Sequence, residues 1–181
     1  MTSILLALLA PGSVEADIGR VQQRIFGDHG LVSAVALPPL VPVAFLVEEQ
    51  EGRVGRQRQQ LARLNAAVRA PYRVNLSGLA WQDGWLYLCV DSGGVWESLR
   101  ASLDRSQETS GLFPAHEGFF LGCGEAAREQ RSLVRPPLPG GTFSSCALAL
   151  VRIESAEGKV WWREVSMEIV DEVPLRGRRP P

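Results

Sequence analysis

Twice along this chain the same order of elements can be read: an apolar strand, a turn of small residues, a helix, a loop, and a closing strand that is apolar throughout. The first pass runs through strand Ile4–Leu9, helix Val14–Phe26 and strand Val41–Val47. The second runs through strand Leu86–Val90, helix Val95–Arg105 and strand Gly118–Leu121. Self-similar order with little identity points to a duplicated architecture. Two such halves place their closing strands side by side around a cleft.

Local signals support each element. Val14, Ile18, Val21 and Ile25 recur at helical spacing, Ser13 is placed to cap them, and Gly27-Asp28-His29-Gly30 closes the run with turn chemistry. Val32–Leu37 is a strand candidate ahead of Pro38-Pro39. A second helix, Arg53–Arg69, carries Leu61, Leu64 and Val68 on its apolar face. Tyr72, Val74, Leu76 and Gly78 alternate with Arg73, Asn75, Ser77 and Leu79 as in a half-buried strand, and Asp83-Gly84 turns it back into the next strand. A small helix is expected near Glu125–Leu133 and a proline-rich loop at Arg135–Gly141. Ala147–Ile153 and Lys159–Val170 form a last hairpin, which puts Trp161 and Trp162 on opposite faces of a strand. Residues 1–173 are expected to form one bilobal domain, and 174–181 a basic, disordered tail.

Composition excludes several classes. With 181 residues and a formal net charge of −1, no whole-molecule field draws nucleic acid, so phosphate binding needs a local patch. Lys159 is the sole lysine and the other basic residues are arginines, which suit bidentate phosphate contacts or reflect compositional habit. Cys89, Cys123 and Cys146 are widely spaced, so neither a disulfide framework nor a zinc site is suggested, and reduced, buried thiols in a cytoplasmic protein are expected. The apolar run Ile4–Ala10 lacks a basic flank and is too short to span a bilayer, which favours a buried first strand.

The order of elements resembles the two-histidine (2H) phosphoesterase superfamily, the RNA cyclic phosphodiesterases also labelled 2′-5′ RNA ligase-like. The resemblance is carried by the Leu5-Leu6-Ala7-Leu8-Leu9 strand, Pro39-Leu40-Val41-Pro42-Val43-Ala44-Phe45-Leu46, Pro71-Tyr72-Arg73-Val74-Asn75-Leu76-Ser77-Gly78, the Leu86–Leu103 unit, Glu117-Gly118-Phe119-Phe120-Leu121-Gly122 and Leu148-Ala149-Leu150-Val151-Arg152. It implies an α+β fold of two pseudo-symmetric lobes, each an antiparallel sheet with outer helices, around a central cleft. It also implies two His-x-Thr/Ser motifs facing each other, with one imidazole as base, the other as acid, the hydroxyls holding phosphate, and no metal or cofactor.

Here the motifs are degenerate. The first falls on Pro42-Val43-Ala44-Phe45 and the second on Gly118-Phe119-Phe120-Leu121, so Pro42 and Gly118 stand at the histidine positions and Ala44 and Phe120 at the hydroxyl positions. None of the four transfers a proton or donates a side-chain hydrogen bond. His116, two residues ahead of Gly118, is either a displaced catalyst or phosphate contact, or an exposed loop histidine. Arg152 and Arg73 are candidate phosphate contacts, or surface arginines on polar strand faces. His29 lies in a turn and is expected to face solvent, and Gly122-Cys123-Gly124 offers an anion seat or simply a buried cysteine. The resulting expectation is a catalytically degenerate protein binding RNA, a nucleotide or another phosphorylated ligand in the cleft. The alternatives are an active 2′,3′-cyclic phosphodiesterase rearranged around His116 and Arg152, or a non-catalytic interaction scaffold with a vestigial cleft.

Overall fold

The computed structural model describes residues 1–46, 54–68, 73–82, 84–103, 108–109, 111–123, 141–143, 146–156 and 161–175. Eight strands are found among them: β1 (Thr2–Leu9), β2 (Leu40–Leu46), β3 (Val74–Gln82), β4 (Trp85–Asp91), β5 (Gly118–Cys123), β6 (Thr142–Phe143), β7 (Ala147–Ser155) and β8 (Val165–Pro174). The helices are α1 (Gly12–His29), α2 (Val54–Ala67) and α3 (Val95–Ser102), with 3-10 turns at Val32–Val35 and Trp161–Arg163. The strands make two four-stranded sheets, ordered β2-β1-β7-β8 and β5-β4-β3-β6. Every pairing is antiparallel. The architecture is thus the α+β, two-lobed one that the internal repeat implies.

β1 is inner to its sheet and buried on both faces, which is why it shows no polar alternation. Ile4, Leu6 and Leu8 face the helices together with Leu148 and Leu150 of β7, against Ile18, Val21 and Ile25 of α1 and Leu61 and Leu64 of α2. Leu5 and Ala7, with Ala149, Val151 and Ile153, face the other sheet. Strand period two therefore sorts one sequence run into two cores.

Several local expectations are corrected. Ser13 is not the cap of α1: the cap position is Pro11, whose carbonyl accepts the N–H groups of Val14 and Glu15, both at 2.9 Å. The helix runs on to His29 and stops at Gly30, whose φ of 64° only glycine adopts without strain. Val32–Leu37 is no strand but a 3-10 turn, because the Ser33 hydroxyl bonds both the N–H and the C=O of Cys123 and so docks the segment on β5. The closing hairpin contains a 3-10 turn at Trp161–Arg163, so Trp161 and Trp162 do not lie on a strand. β8 extends to Pro174 and Leu175 is buried, its N–H bonded to the Cys146 carbonyl, so the folded region passes residue 173. The Glu125–Leu133 helix, residues 135–140 of the Arg135–Gly141 loop and the tail from Arg176 lie outside the described residues.

Candidate functional site

The lobes meet where β2, an edge strand of one sheet, lies against β5, an edge strand of the other. The His116 N–H donates to the Pro42 carbonyl at 3.3 Å, and the Trp96 indole donates to the same oxygen at 3.1 Å. The segments around Pro42 and Gly118 are therefore brought together as the repeat implies. Gln22 of α1 ties the arrangement from behind, donating to the carbonyls of Leu37 at 3.0 Å and Phe120 at 3.1 Å.

The space between the facing sheets is filled. Leu5, Ala7, Leu37, Leu40, Phe45, Ala149, Val151 and Ile153 pack against Tyr87, Phe113, Phe120 and Cys123 in one buried apolar cluster. Phe120 is 0% exposed and Phe113 3%. Their rings stack at 5.2 Å, with Phe45 edge-on to Phe113 at 5.0 Å, Trp85 at 5.9 Å from both and Tyr87 at 6.2 Å from Phe120. These spacings are those of favourable aromatic pairs. The Tyr87 hydroxyl donates to the Pro114 carbonyl at 3.0 Å, and burial carries its pKa far above the ordinary phenol value.

The motif positions fall into this packing unevenly. A bulge between Leu6 and Ala7 of β1 places Ala44 opposite Leu6 and Pro42 opposite Ala7. Pro42 thus faces the groove while Ala44 enters the helix-side core, so the two do not share a face as unbroken alternation requires. Proline is tolerated at 42 because an edge strand can dispense with its N–H. On β5, Gly118 and Phe120 lie opposite Cys89 and Tyr87 and do share the groove face. A Cβ on Gly118 would stand 2.9 Å from the Leu88 carbonyl and 3.1 Å from His116 Nδ1, so the strand has no room there for any side chain.

His116 is neither an exposed loop residue nor part of an extended strand. The Gly118 N–H bonds back to the His116 carbonyl at 2.8 Å, turning the chain at Glu117. The imidazole lies flat on Tyr87, ring centroids 4.3 Å apart, and its buried Nδ1 has no hydrogen-bond partner. Burial lowers its pKa, with Glu117 opposing. The Glu117 carboxylate is itself held by Ser92, through the backbone N–H at 2.9 Å and the hydroxyl.

The remaining candidates do not converge on His116. Arg152 lies opposite Ile4, on the helix-facing side, and pairs with Glu168 at 2.8 Å. Arg73 is exposed just ahead of β3, two strands from β5. His29 ends α1 and is half-buried rather than solvent-facing. Cys123 is buried and its thiol is pushed up to about 12, the reverse of activation. No group of three or more His, Cys, Asp or Glu side chains suited to a metal occurs among the described residues. An open hollow of about 640 Å³ lies elsewhere, lined by Thr2, Glu154, Ser155 and Glu164 among others. The aromatic cluster was missed in the sequence because Phe45, Tyr87, Phe113 and Phe120 come from four separated segments. The one local hint was Phe120, an aromatic where the resemblance implies a hydroxyl residue.

No family profile matches the chain, and no curated protein matches it significantly. Solved structures do. TT0787 of Thermus thermophilus superposes with a TM-score of 0.66 at 19% identity, over 97% of this chain and 98% of that one. Escherichia coli LigT complexed with 3′-AMP gives a TM-score of 0.62 at 18% identity, over 97% and 98%. A protein described as a phosphoesterase gives 0.60 at 15%, over 96% and 98%. The chain therefore shares the two-lobed fold of these structures along nearly its whole length. No helix among the described residues is long and apolar enough to cross a membrane.

Proposed function

We propose that this chain is a non-catalytic protein on the 2H phosphoesterase fold, in which the groove between the lobes has become hydrophobic core, and that it acts through its outer surface. The observation that carries this reading is Phe120, fully buried under Phe113 and beside Tyr87 where the two motif strands meet. A phosphate placed there would give up its hydration against aromatic and aliphatic carbon, and burying such a charge unpaired is prohibitive. Acid–base chemistry is equally unsupported. Each positioned acid or base is worth roughly 10²–10⁴-fold in rate. Pro42 and Gly118 have no titratable group, and Ala44 and Phe120 have no hydroxyl to hold an oxyanion. The rearranged alternative needs His116 and Arg152 together, but Arg152 is on the other face of its sheet. RNA or a nucleotide, the partner class implied by the resemblance, would have to displace the Phe113 segment to reach the groove.

The test is calorimetric titration of the purified protein with 3′-AMP and 2′,3′-cyclic AMP, alongside an assay for cyclic-phosphate hydrolysis. The expected results are no saturable binding and no turnover above buffer. Saturable binding lost in Phe120→Arg, or turnover that co-purifies with the protein and disappears in His116→Ala, would overturn the reading.

A further inference from the structure

Residues 111–117 cross the junction of the two lobes as neither helix nor strand. Both ends of the crossing are anchored. At one, the Thr109 N–H donates to the Phe45 carbonyl of β2 at 3.0 Å. A Cβ on Gly111 would fall 1.8 Å from the Phe45 ring, so the chain presses directly on that side chain. At the other end, the Glu117 carbonyl accepts from the Val90 N–H of β4 at 3.0 Å, and its carboxylate is held by Ser92. Between the anchors lie Phe113, whose ring closes over Phe120, and His116. Single groups tie this stretch down: the Tyr87 hydroxyl donates to the Pro114 carbonyl, and the His116 N–H to the Pro42 carbonyl. The Pro42 oxygen also accepts from the Trp96 indole, so it keeps a partner if His116 leaves. A segment held in this way can open by itself while the sheets on either side stay formed.

His116 is the weak point of this closure. Its ring is caught between Tyr87, stacked at 4.3 Å, and Gly118, where a Cβ would stand 3.1 Å from Nδ1. A neutral imidazole can leave Nδ1 bare, but an imidazolium donates from both nitrogens and needs an acceptor at each. The buried Nδ1 has none. Around the ring, β4 presents Tyr87 and Cys89, both kept neutral by burial, which raises their pKa values. β2 and α3 present Pro42 and Trp96, and the Arg100–Glu108 pair beside them is closed at 2.8 Å. Glu117 is the nearest charge. The Glu117 carboxylate and the face of Tyr87 both favour a charged ring, yet burial outweighs them and lowers the His116 pKa.

We propose that residues 111–117 are an acid-released strap, closed over the aromatic filling at neutral pH and freed by protonation of His116 to uncover Phe113 and Phe120 while both sheets stay folded. It rests on the reading that aromatic side chains fill the groove between the lobes. The proton comes from solvent and settles on the imidazole once the ring has left Tyr87 for water. The open strap takes it up at the ordinary 6.5 and the closed strap only below that value. Opening therefore gains up to about tenfold per pH unit as pH falls between the two, and levels off beneath the lower one.

The experiment is amide hydrogen exchange of the full chain from about pH 7.5 to about pH 5, corrected for the intrinsic pH dependence of exchange. The backbone amides of His116 and Gly118, bonded to the Pro42 and His116 carbonyls, report the strap. Their protection should hold above pH 6.5 and then fall by up to about tenfold per pH unit, while the amides of β1 and β7 keep theirs. His116→Phe retains a flat ring over Tyr87, and His116→Gln retains a neutral polar side chain; the acid loss should vanish in both. Protection independent of pH in the parent, an acid loss that persists in either variant, or a loss shared by β1 and β7 would overturn the proposal. Calorimetric titration with 3′-AMP at neutral pH separates the two readings. Saturable binding there ends the filled-groove reading and the strap with it, whereas no binding together with pH-independent exchange ends the strap alone.

Discussion

Replacing Phe120 by alanine probes whether the space between the lobes is core or groove. The ring is 0% exposed and would take with it contacts to Phe113 at 5.2 Å, Trp85 at 5.9 Å and Tyr87 at 6.2 Å. Truncating a buried phenylalanine costs about 3–5 kcal/mol, the transfer energy plus the cavity left behind. Each aromatic pair adds about 0.5–1.5 kcal/mol beyond area, which places this site toward the upper end. At about 2–4 °C per kcal/mol for a chain of this length, the midpoint should fall by roughly 6–20 °C. Had Phe120 lined an open, solvated groove, the change would stay within about 0.5 kcal/mol. Urea unfolding followed by tryptophan fluorescence reads the difference, because Trp85 lies in the same cluster. Total stability is only about 5–15 kcal/mol, so Phe120→Leu gives a milder second point at about 1–2 kcal/mol. A Phe120→Ala protein as stable as the parent would refute the reasoning.

Gly118→Ala should cost about 1–3 kcal/mol in the same unfolding assay, since its Cβ would meet the Leu88 carbonyl and a Cα, which cannot rotate away; an unchanged midpoint would show that the strands can separate there. His116 has a folded pKa below its ordinary 6.5, so it contributes stability that is present above that value and lost as pH falls through the lower, folded pKa. His116→Phe should therefore flatten the decline in stability between neutral and mildly acidic pH, measured as the difference between variant and parent melts. Cys123, pushed up from 9.0 to about 12, contributes stability below pH 9 that is lost as pH rises toward 12. Native protein at pH 8 should accordingly leave this thiol unreacted with iodoacetamide until urea unfolds it, as read by peptide mass spectrometry.

Much of the architecture was legible because it rests on local periodicity. Continuous apolar runs marked β1 and β2, the spacing of Ile18, Val21 and Ile25 marked α1, and Gly84, at φ 88°, closes the β3–β4 hairpin where the turn signal stood. The repeat of elements then gave the two lobes and the approach of β2 to β5. What local pattern could not give was set by cross-strand register and tertiary contact. Val43 is squeezed out by the pairing of Pro42 with Ala7 and Ala44 with Leu6, which turns Ala44 away from the groove. Val32–Leu37 is an apolar run of a length that fits strand or turn, and only the bond from Ser33 to Cys123, 90 residues distant, selects the turn. Arg152 was placed on the correct strand, but its face follows from pairing with Ile4 rather than from its own neighbours. The groove filling combines both difficulties: Phe120 stood out as ill-suited to phosphate, yet its partner Phe113 lies in a segment with no pattern to announce it.

The central claim is that aromatic side chains occupy the groove between the lobes as core. Nuclear magnetic resonance of protein carrying labelled phenylalanine and tyrosine rings tests it most directly, with spectra recorded before and after addition of excess 2′,3′-cyclic AMP. The account predicts through-space contacts linking Phe45 to Phe113, Phe113 to Phe120 and Phe120 to Tyr87, all unchanged by the nucleotide. Saturable shifts of the Phe113, Phe120 and Tyr87 rings, with loss of the Phe113–Phe120 contact, would contradict it.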